Sequence, residues 1–155
     1  MVASHFTDIE CDISSREFRT VTGRFRGQRI TVVSTGIGCD NIDIVLNELD
    51  ALANIDFSTR LVRPELRQLE IVRIGTCGGL QPDTPTGTFI CSEISVGFDG
   101  LLNFYAGRDA VCDLALEQAL VAHLGWKGNI CIPHPYVVHA DEKLVERIAG
   151  HDMMR

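Results

Sequence analysis

The chain has 155 residues, of which 45% are hydrophobic and 23% charged, and its 14 basic side chains against 21 acidic ones give a net charge of −7. This length and composition exclude intrinsic disorder and predict one domain over residues 1–155, which can bury roughly 70% of its unfolded surface. The acidic balance excludes a general binder of nucleic acid or anionic membranes, because these partners repel a negatively charged surface.

No segment has the pattern of an export signal or a membrane-spanning helix. The opening MVASHFTDIECDISS lacks a basic start and a long apolar run, and no stretch reaches the roughly 18 apolar residues that a membrane helix needs. The six cysteines are irregularly spaced, without a C-x-x-C pair, at Cys11, Cys39, Cys77, Cys91, Cys112 and Cys131. This spacing predicts free thiols in a reducing cytoplasm.

The first half of the chain predicts a β-hairpin followed by a helix. Residues Arg16 to Arg24 have a strand pattern, and a turn around Gly27 leads into the β-branched run RITVVSTG at 29–36. Apolar side chains then recur at helical spacing, at Ile42, Val45, Leu46, Leu49, Leu52 and Ala53. Asp40 and Asp43 place acids in the first turn, where the helix dipole favours them.

The second half alternates strands and helices after an exposed loop from Asp56 to Arg67. In chain order the sequence predicts a strand at Leu69–Ile74, a strand at 88–96, a helix at Val111–Leu124, a strand near Ile130–His139 and a short helix capped by Asp141. Alternating strands and helices indicate an α/β fold with a mixed, largely parallel central sheet flanked by helices.

A glycine turn, STGIG, joins the second predicted strand to the first helix and contains Gly36 and Gly38. Backbone amides at such a turn can approach an anion or a polar ligand, although a tight strand-to-helix turn also uses glycine for steric reasons alone. The turn is not a dinucleotide fingerprint, because that spacing requires glycine where Asn41 stands, and it lacks the Gly-Lys-Ser/Thr ending of a P-loop.

The segment VRIGTCGGLQP gives a stronger candidate. Arg73 lies in an apolar run just before Gly75, and Thr76 follows. An arginine fork, a threonine hydroxyl and exposed amides together suit a phosphate. The alternative is a structural ion pair of Arg73 with Glu48 or Glu93, since an unpaired buried guanidinium is costly.

The remaining basic side chains and the histidines carry less information. Arg16, in SSREFR, is indistinguishable by pattern from a solvated strand arginine. His134 and His139 are five residues apart, so on a strand they point to opposite faces and cannot hold one metal ion. We therefore expect no metal site.

Three segments in the same order resemble the nucleoside phosphorylase family, and its uridine phosphorylase branch in particular. They are EFRTVTGRFRGQRITVVSTGIG, a helix ending NELDALA, and VRIGTCGGLQPDTPTGTFI. The resemblance runs from about Ser15 to Asp99 and more loosely beyond. Order and spacing together make it specific, whereas either glycine turn alone is weak.

The resemblance implies reversible phosphorolysis of a nucleoside, with pyrimidine nucleosides favoured, inorganic phosphate as co-substrate and no cofactor. Arg73 matches the arginine that grips phosphate, and Thr76 matches the threonine that contacts phosphate and sugar. Arg16 matches an arginine that reaches across a dimer interface into the neighbouring phosphate site. Gly36 and Gly38 would line the sugar side. The family implies a homodimer or a ring of dimers.

Several family segments have no counterpart in this sequence. The N-terminal phosphate segment of Gly-Asp-Pro type, the base pocket of Phe-x-x-x-Gln-x-Arg type and the ribose-binding Glu-Met-Glu segment are all missing. We therefore expect a chain incomplete at both ends, whether truncated, proteolysed or encoded by a degenerate gene, and inactive alone. The alternatives are a phosphate-binding fragment or structural subunit, a water-using nucleosidase of the same superfamily, or an unrelated α/β protein.

Overall fold

A computed structural model describes residues 1–125 and 132–150. The chain divides into two compact units, Met1–Val72 and Arg73–Arg155. Helices and strands occur in both units, so the predicted α/β class is confirmed at that level. No helix among the described residues is long and apolar enough to cross a membrane.

The first unit is built on a three-stranded antiparallel sheet in the order β1 (Thr7–Ser15), β2 (Phe18–Phe25), β3 (Gln28–Ser34). Val21 of the central strand is 5% exposed. Gly23 lies under the side chains of Phe6 and Ile9, where a Cβ would stand about 3.0 Å from Ile9 Cδ1. The close approach of these two side chains therefore requires glycine in the strand.

Helix α1 (Cys39–Asn54) follows the sheet and confirms the predicted helix. It leads into two very short strands, β4 (Ile55–Asp56) and β5 (Leu61–Val62), which pair antiparallel. The expected irregular loop from Asp56 to Arg67 thus begins as a small hairpin. The carboxylate of Asp56 stabilises its turn, accepting hydrogen bonds from Ser58 N at 2.9 Å and Ser58 Oγ at 2.6 Å.

The second unit pairs strand β6 (Ile94–Gly97) with strand β7 (Tyr136–His139), again antiparallel. Helix α2 (Leu114–Leu124) packs on β7, and helix α3 (Glu142–Ala149) follows it. Asp141 caps α3 by accepting a hydrogen bond from Leu144 N at 2.9 Å, as predicted. Short 3-10 turns lie at Leu101–Phe104 and Arg108–Ala110, with another at Val2–His5 of the first unit.

The expected largely parallel sheet is wrong for the part of the chain that the structure describes, where every strand pair is antiparallel. The strands of each of the first two sheets follow one another through short turns, which permit only antiparallel pairing, whereas parallel pairing needs a long crossover. The predicted strand at Leu69–Ile74 is absent, and of the predicted strand at 88–96 only residues 94–96 are extended, within β6. A strand requires a neighbour for its backbone groups, and an apolar sequence alone does not supply one.

The observed strands also differ from the predicted ones near both ends of the chain. Strand β1 lies within the opening fifteen residues, where no strand was predicted, and its alternation of acids with isoleucines shows why it suits an edge. Strand β7 begins at Tyr136, while residues 130 and 131 of the predicted strand lie outside the described residues.

Candidate functional site

Arg16 occupies the tip of a β-hairpin. Ser15 pairs with Phe18, so Arg16 and Glu17 form a two-residue turn, and Arg16 has a φ of 54°. The prediction of Arg16 as a strand residue was therefore wrong, because the predicted strand begins two residues later, at Phe18. A left-handed conformation costs a residue with a Cβ roughly 1–2 kcal/mol, and such strain is often found at functional positions. The turn holds an exposed guanidinium at the end of a paired scaffold.

A matched turn lies at the other end of β2. Phe25 pairs with Gln28, and Arg26, the first residue of that turn, has a φ of 49°. Gly27 follows with a φ of 80°, and the Arg26 guanidinium lies 5.3 Å from the ring centroid of Phe25. Arg16 and Arg26 are therefore similar in backbone conformation, but Arg26 stacks on its own hairpin.

The glycine turn before α1 leaves the start of the helix uncapped by a side chain. Gly38 is the residue before the helix, with a φ of 110°, and Gly36 has a φ of 69°. An added Cβ at Gly38 would meet nothing within 4 Å, so backbone conformation rather than crowding favours glycine there. Exposed first-turn amides can bind a polar or anionic group.

The side chain of Arg73 folds back over Gly75, two residues later in the chain. Its Nη1 lies 3.6 Å from the position that a Cβ on Gly75 would take. The ion pairs among the described residues of the second unit involve Arg108, His134 and His139, and none includes Arg73. The structural pair of Arg73 with Glu93 is thus not formed, while Glu48 belongs to the other unit. The guanidinium lies over an exposed turn and forms no ion pair with a carboxylate among the described residues of its own unit.

Thr76 follows that turn directly and is exposed, as are the other four predicted site residues. Downstream, the backbone turns back at Gln81–Thr84 and again at Pro85–Thr88, with hydrogen bonds of 3.1 and 3.2 Å. The predicted residues divide between the units: Arg16, Gly36 and Gly38 belong to the first, and Arg73 and Thr76 to the second.

A buried polar cluster in the second unit was missed by sequence reasoning. Glu117 of α2 is 1% exposed, binds the Arg108 guanidinium at 2.5 Å and accepts a hydrogen bond from Val137 N at 3.0 Å. Burial opposes ionisation of Glu117, but the hydrogen bonds from Val137 and Arg108 outweigh it and lower the pKa of the carboxyl. The only sequence signal was an acid within the apolar run LALEQAL.

A second carboxylate of α2 reaches the other end of β7. Asp113 caps the helix by accepting a hydrogen bond from Leu116 N at 3.0 Å, and its other oxygen lies 3.0 Å from His139 Nε2. These bonds, chiefly the one from Leu116, lower the pKa of Asp113. Burial raises the pKa of the neighbouring Cys112 thiol. The cluster therefore joins α2 to β7, and both of its carboxylates have structural partners, whereas the Nε of Arg108 is buried without an acceptor among the described residues.

The other predicted ligands and thiols show no reactive arrangement. Five cysteines are free thiols, while Cys131 and His151 lie outside the described residues. No group of three metal-ligating side chains occurs in residues 1–125 and 132–150.

Comparison with known proteins gives a consistent family assignment. The sequence profile of the phosphorylase superfamily matches residues 1–151. The chain is 32% identical over 108 residues to a uridine phosphorylase of Thermococcus kodakarensis, covering 68% of this chain and 34% of that one. It is 34% identical over 83 residues to a DeoD-type purine nucleoside phosphorylase of Thermoanaerobacter, covering 53% and 30%.

A solved structure shares the fold. It is a nucleoside phosphorylase of Trypanosoma brucei described as showing uridine phosphorylase activity, with a TM-score of 0.78 and 26% identity. The match covers 96% of this chain and 50% of that one. The chain thus spans half of the solved relative and about a third of the curated ones.

Proposed function

This chain belongs to the phosphorylase superfamily, and we propose that its protein catalyses the reversible phosphorolysis of a pyrimidine nucleoside. The observation that carries the proposal is Arg73, whose guanidinium lies over the Gly75 turn and forms no ion pair within the described part of its unit. A cation held at an exposed turn without a carboxylate partner suits a substrate anion, and the Arg-Ile-Gly-Thr order is the one that the family resemblance assigns to phosphate.

The proposed reaction exchanges one bond at the anomeric carbon for another. The bond between the base nitrogen and C1′ breaks, a phosphate oxygen bonds C1′, and the departing base takes up a proton. The products are the free base and ribose 1-phosphate or its deoxy form. Positive charge develops on the sugar and negative charge on the base, so a positioned phosphate stabilises the transition state through its own charge.

Each predicted residue has a role in this proposal. Arg73 holds the phosphate and keeps it aligned with C1′, because a guanidinium binds two oxygens in a fixed geometry. Thr76 donates to phosphate and contacts the sugar, and the amides near Gly36 and Gly38 face the sugar. Arg16 completes the phosphate site of a neighbouring subunit, for which its strained turn conformation is the supporting observation.

The same proposal includes the substrate class, the co-substrate, the cellular location and the oligomeric state. Two uridine phosphorylases match over 68% and 77% of this chain, against 53% and 62% for two DeoD-type purine enzymes, which supports a pyrimidine base. Inorganic phosphate is the co-substrate, without a further cofactor. We place the protein in the cytoplasm, supported by its free thiols, as a homodimer or a ring of dimers.

The test is uracil release from uridine, with and without phosphate, by the complete protein, because this chain is expected to be inactive alone. We expect release only with phosphate, and loss of at least about a hundredfold in Arg73→Ala, since removing a charged transition-state contact typically costs 10²–10³ in rate. Arg26→Ala is the matched control, because it removes an exposed arginine from a stacked turn outside the proposed site. Equal release without phosphate would instead identify a water-using nucleosidase.

A second candidate is phosphate binding without turnover. It is favoured by the span of this chain, which covers only 30% to 50% of the relatives above, and by the absence of the base and ribose segments from its sequence. Calorimetry separates the two candidates. Phosphate binding that depends on Arg73, without uridine binding, supports the second, whereas uridine binding and uracil release support the first.

A further inference from the structure

An open groove lies on the hairpin of the first unit, apart from every residue assigned above. Its volume is about 610 Å³, within the range of small-molecule sites. The walls come from β5 and the segment after it, together with Asp56 and Thr59. We call it the hairpin groove.

The apolar side chains that line the groove are highly exposed to solvent. Leu61, Val62 and Leu66 all line it, and they are 67%, 67% and 68% exposed. These three aliphatic side chains lie within six consecutive residues and can cover the apolar part of a ligand. Each would add to the binding free energy through the apolar area that it removes from water.

The polar part contains a cation that lacks an acceptor. Arg63 lines the groove and is only partly exposed, and its Nε is buried without a hydrogen-bond acceptor among the described residues. Ion pairs among the described residues of this unit involve Arg19, Arg24 and Arg29, so Arg63 and its neighbour Arg67 have none. A buried donor without an acceptor is destabilising, and a charged one more so.

Neither acid of the groove forms an ion pair with Arg63 among the described residues, although the Arg63 guanidinium is near enough to Asp56 to contribute to the lowered pKa of that carboxyl. Asp56 Oδ1 is occupied by both donors of Ser58, and these bonds, led by the Ser58 hydroxyl, lower the pKa of Asp56. Glu65 lines the groove but is exposed, and it forms no ion pair with the described arginines. The wall itself is held in place by Asn54, whose carboxamide bonds the backbone of Arg67.

We propose that the hairpin groove binds a small organic anion, with an anionic oxygen group on Arg63 and an apolar body on Leu61 and Leu66. A phosphate monoester and a carboxylate share this chemistry, because both present two oxygens to a guanidinium fork. The proposal is independent of phosphorolysis, since it uses none of the residues assigned to that reaction.

The experiment is calorimetry on the full chain with phenyl phosphate, phenylacetate and toluene. We expect one site for an anionic probe, no binding of toluene, and binding weakened by about tenfold or more in Arg63→Met, as loss of a charge-assisted hydrogen bond predicts. The stronger of the two anions identifies whether the natural ligand carries phosphate or carboxylate. Arg73→Met is expected to leave this site within about twofold, which separates it from phosphate bound for phosphorolysis.

Arg60→Met is the matched control, because Arg60 belongs to the same hairpin, is exposed and lies outside the groove lining. A second variant guards against misfolding of Arg63→Met. Leu66→Ala changes an exposed side chain, and it is expected to weaken phenyl phosphate while leaving inorganic phosphate unchanged. In amide spectra, the Arg63 Nε–H signal should shift on titration. Binding that survives Arg63→Met in a folded protein, or no binding of either anion, would overturn the proposal.

Discussion

The side-chain carboxamide of Asn54 bonds both backbone groups of Arg67. Asn54 Oδ1 accepts a hydrogen bond from Arg67 N at 2.7 Å, and Asn54 Nδ2 donates to Arg67 O at 3.3 Å. A side chain at the end of α1 thus takes the place of a neighbouring strand for a residue thirteen positions later. Because Asn54 is only 8% exposed, this pair of hydrogen bonds fixes the path of the backbone after the hairpin β4–β5.

Replacement of Asn54 by alanine is expected to lower the free energy of unfolding by about 1–3 kcal/mol. The substitution leaves two backbone groups of Arg67 without their partner and removes a bond to Asp50. Urea denaturation measures the change. Glu48→Ala is the control, because Glu48 is exposed on the same helix; an equal loss in both variants would contradict the special role of Asn54.

Loss of Glu117 is expected to be more severe. Glu117→Ala leaves Arg108, whose side chain is 16% exposed, with only Asp109 as a partner and removes the acceptor of Val137 N, and loss of one partner of such a pair typically costs about 3–5 kcal/mol. Thermal unfolding followed by circular dichroism checks this, with Glu146→Ala on the exposed face of α3 as control. A fall in stability no larger than that of the control would refute the assignment.

The stability of the second unit is expected to fall in acid through Asp113. Its folded pKa lies below the ordinary value of 3.8, because the carboxylate accepts from Leu116 N and faces His139. The stabilisation is therefore complete above pH 3.8 and disappears as the pH falls through the folded pKa. Unfolding free energies between about pH 6 and pH 2 should decline less steeply in Asp113→Asn than in the exposed-turn control Asp83→Asn.

Arg16 and Arg26, two of the three arginines with a positive φ among the described residues, give a test that separates stability from function. Arg16→Gly and Arg26→Gly should each raise the unfolding free energy by about 0.5–1 kcal/mol, because glycine adopts a positive φ without a Cβ penalty. Only Arg16→Gly is expected to weaken phosphate binding in the assembled protein. Calorimetry with phosphate, combined with denaturation, measures both effects; identical phosphate affinities in the two variants would remove Arg16 from the site.

Local elements were predictable where the sequence carries its own geometry. The β2–β3 hairpin follows from a β-branched run beside Gly27, and α1 follows from apolar residues at helical spacing. The Asp141 cap was also predictable, because its carboxylate bonds an amide three residues away. In each case the interacting groups are near neighbours in the chain.

Pairing over longer distances was not predictable in the same way. The apolar run Leu69–Ile74 has the composition of a strand but pairs with nothing among the described residues, while the polar opening segment forms β1. The sequence did not predict the buried hydrogen bonds of Glu117, because a glutamate in a helix is usually solvated. Its partners Arg108 and Val137 lie 9 and 20 residues away.

The length and charge of the chain, its family motifs and its local turns were therefore determined by the sequence alone. Its 155 residues contain Arg16, Arg73 and Thr76 in family order, and the net charge of −7 gives no indication of the two arginines. Only the tertiary structure decided which strands pair, that Arg16 stands strained at a hairpin tip, and that Arg63 keeps a donor without an acceptor. The reason is physical: backbone and side-chain polar groups must find partners in space, and distance along the chain does not specify which partners they find.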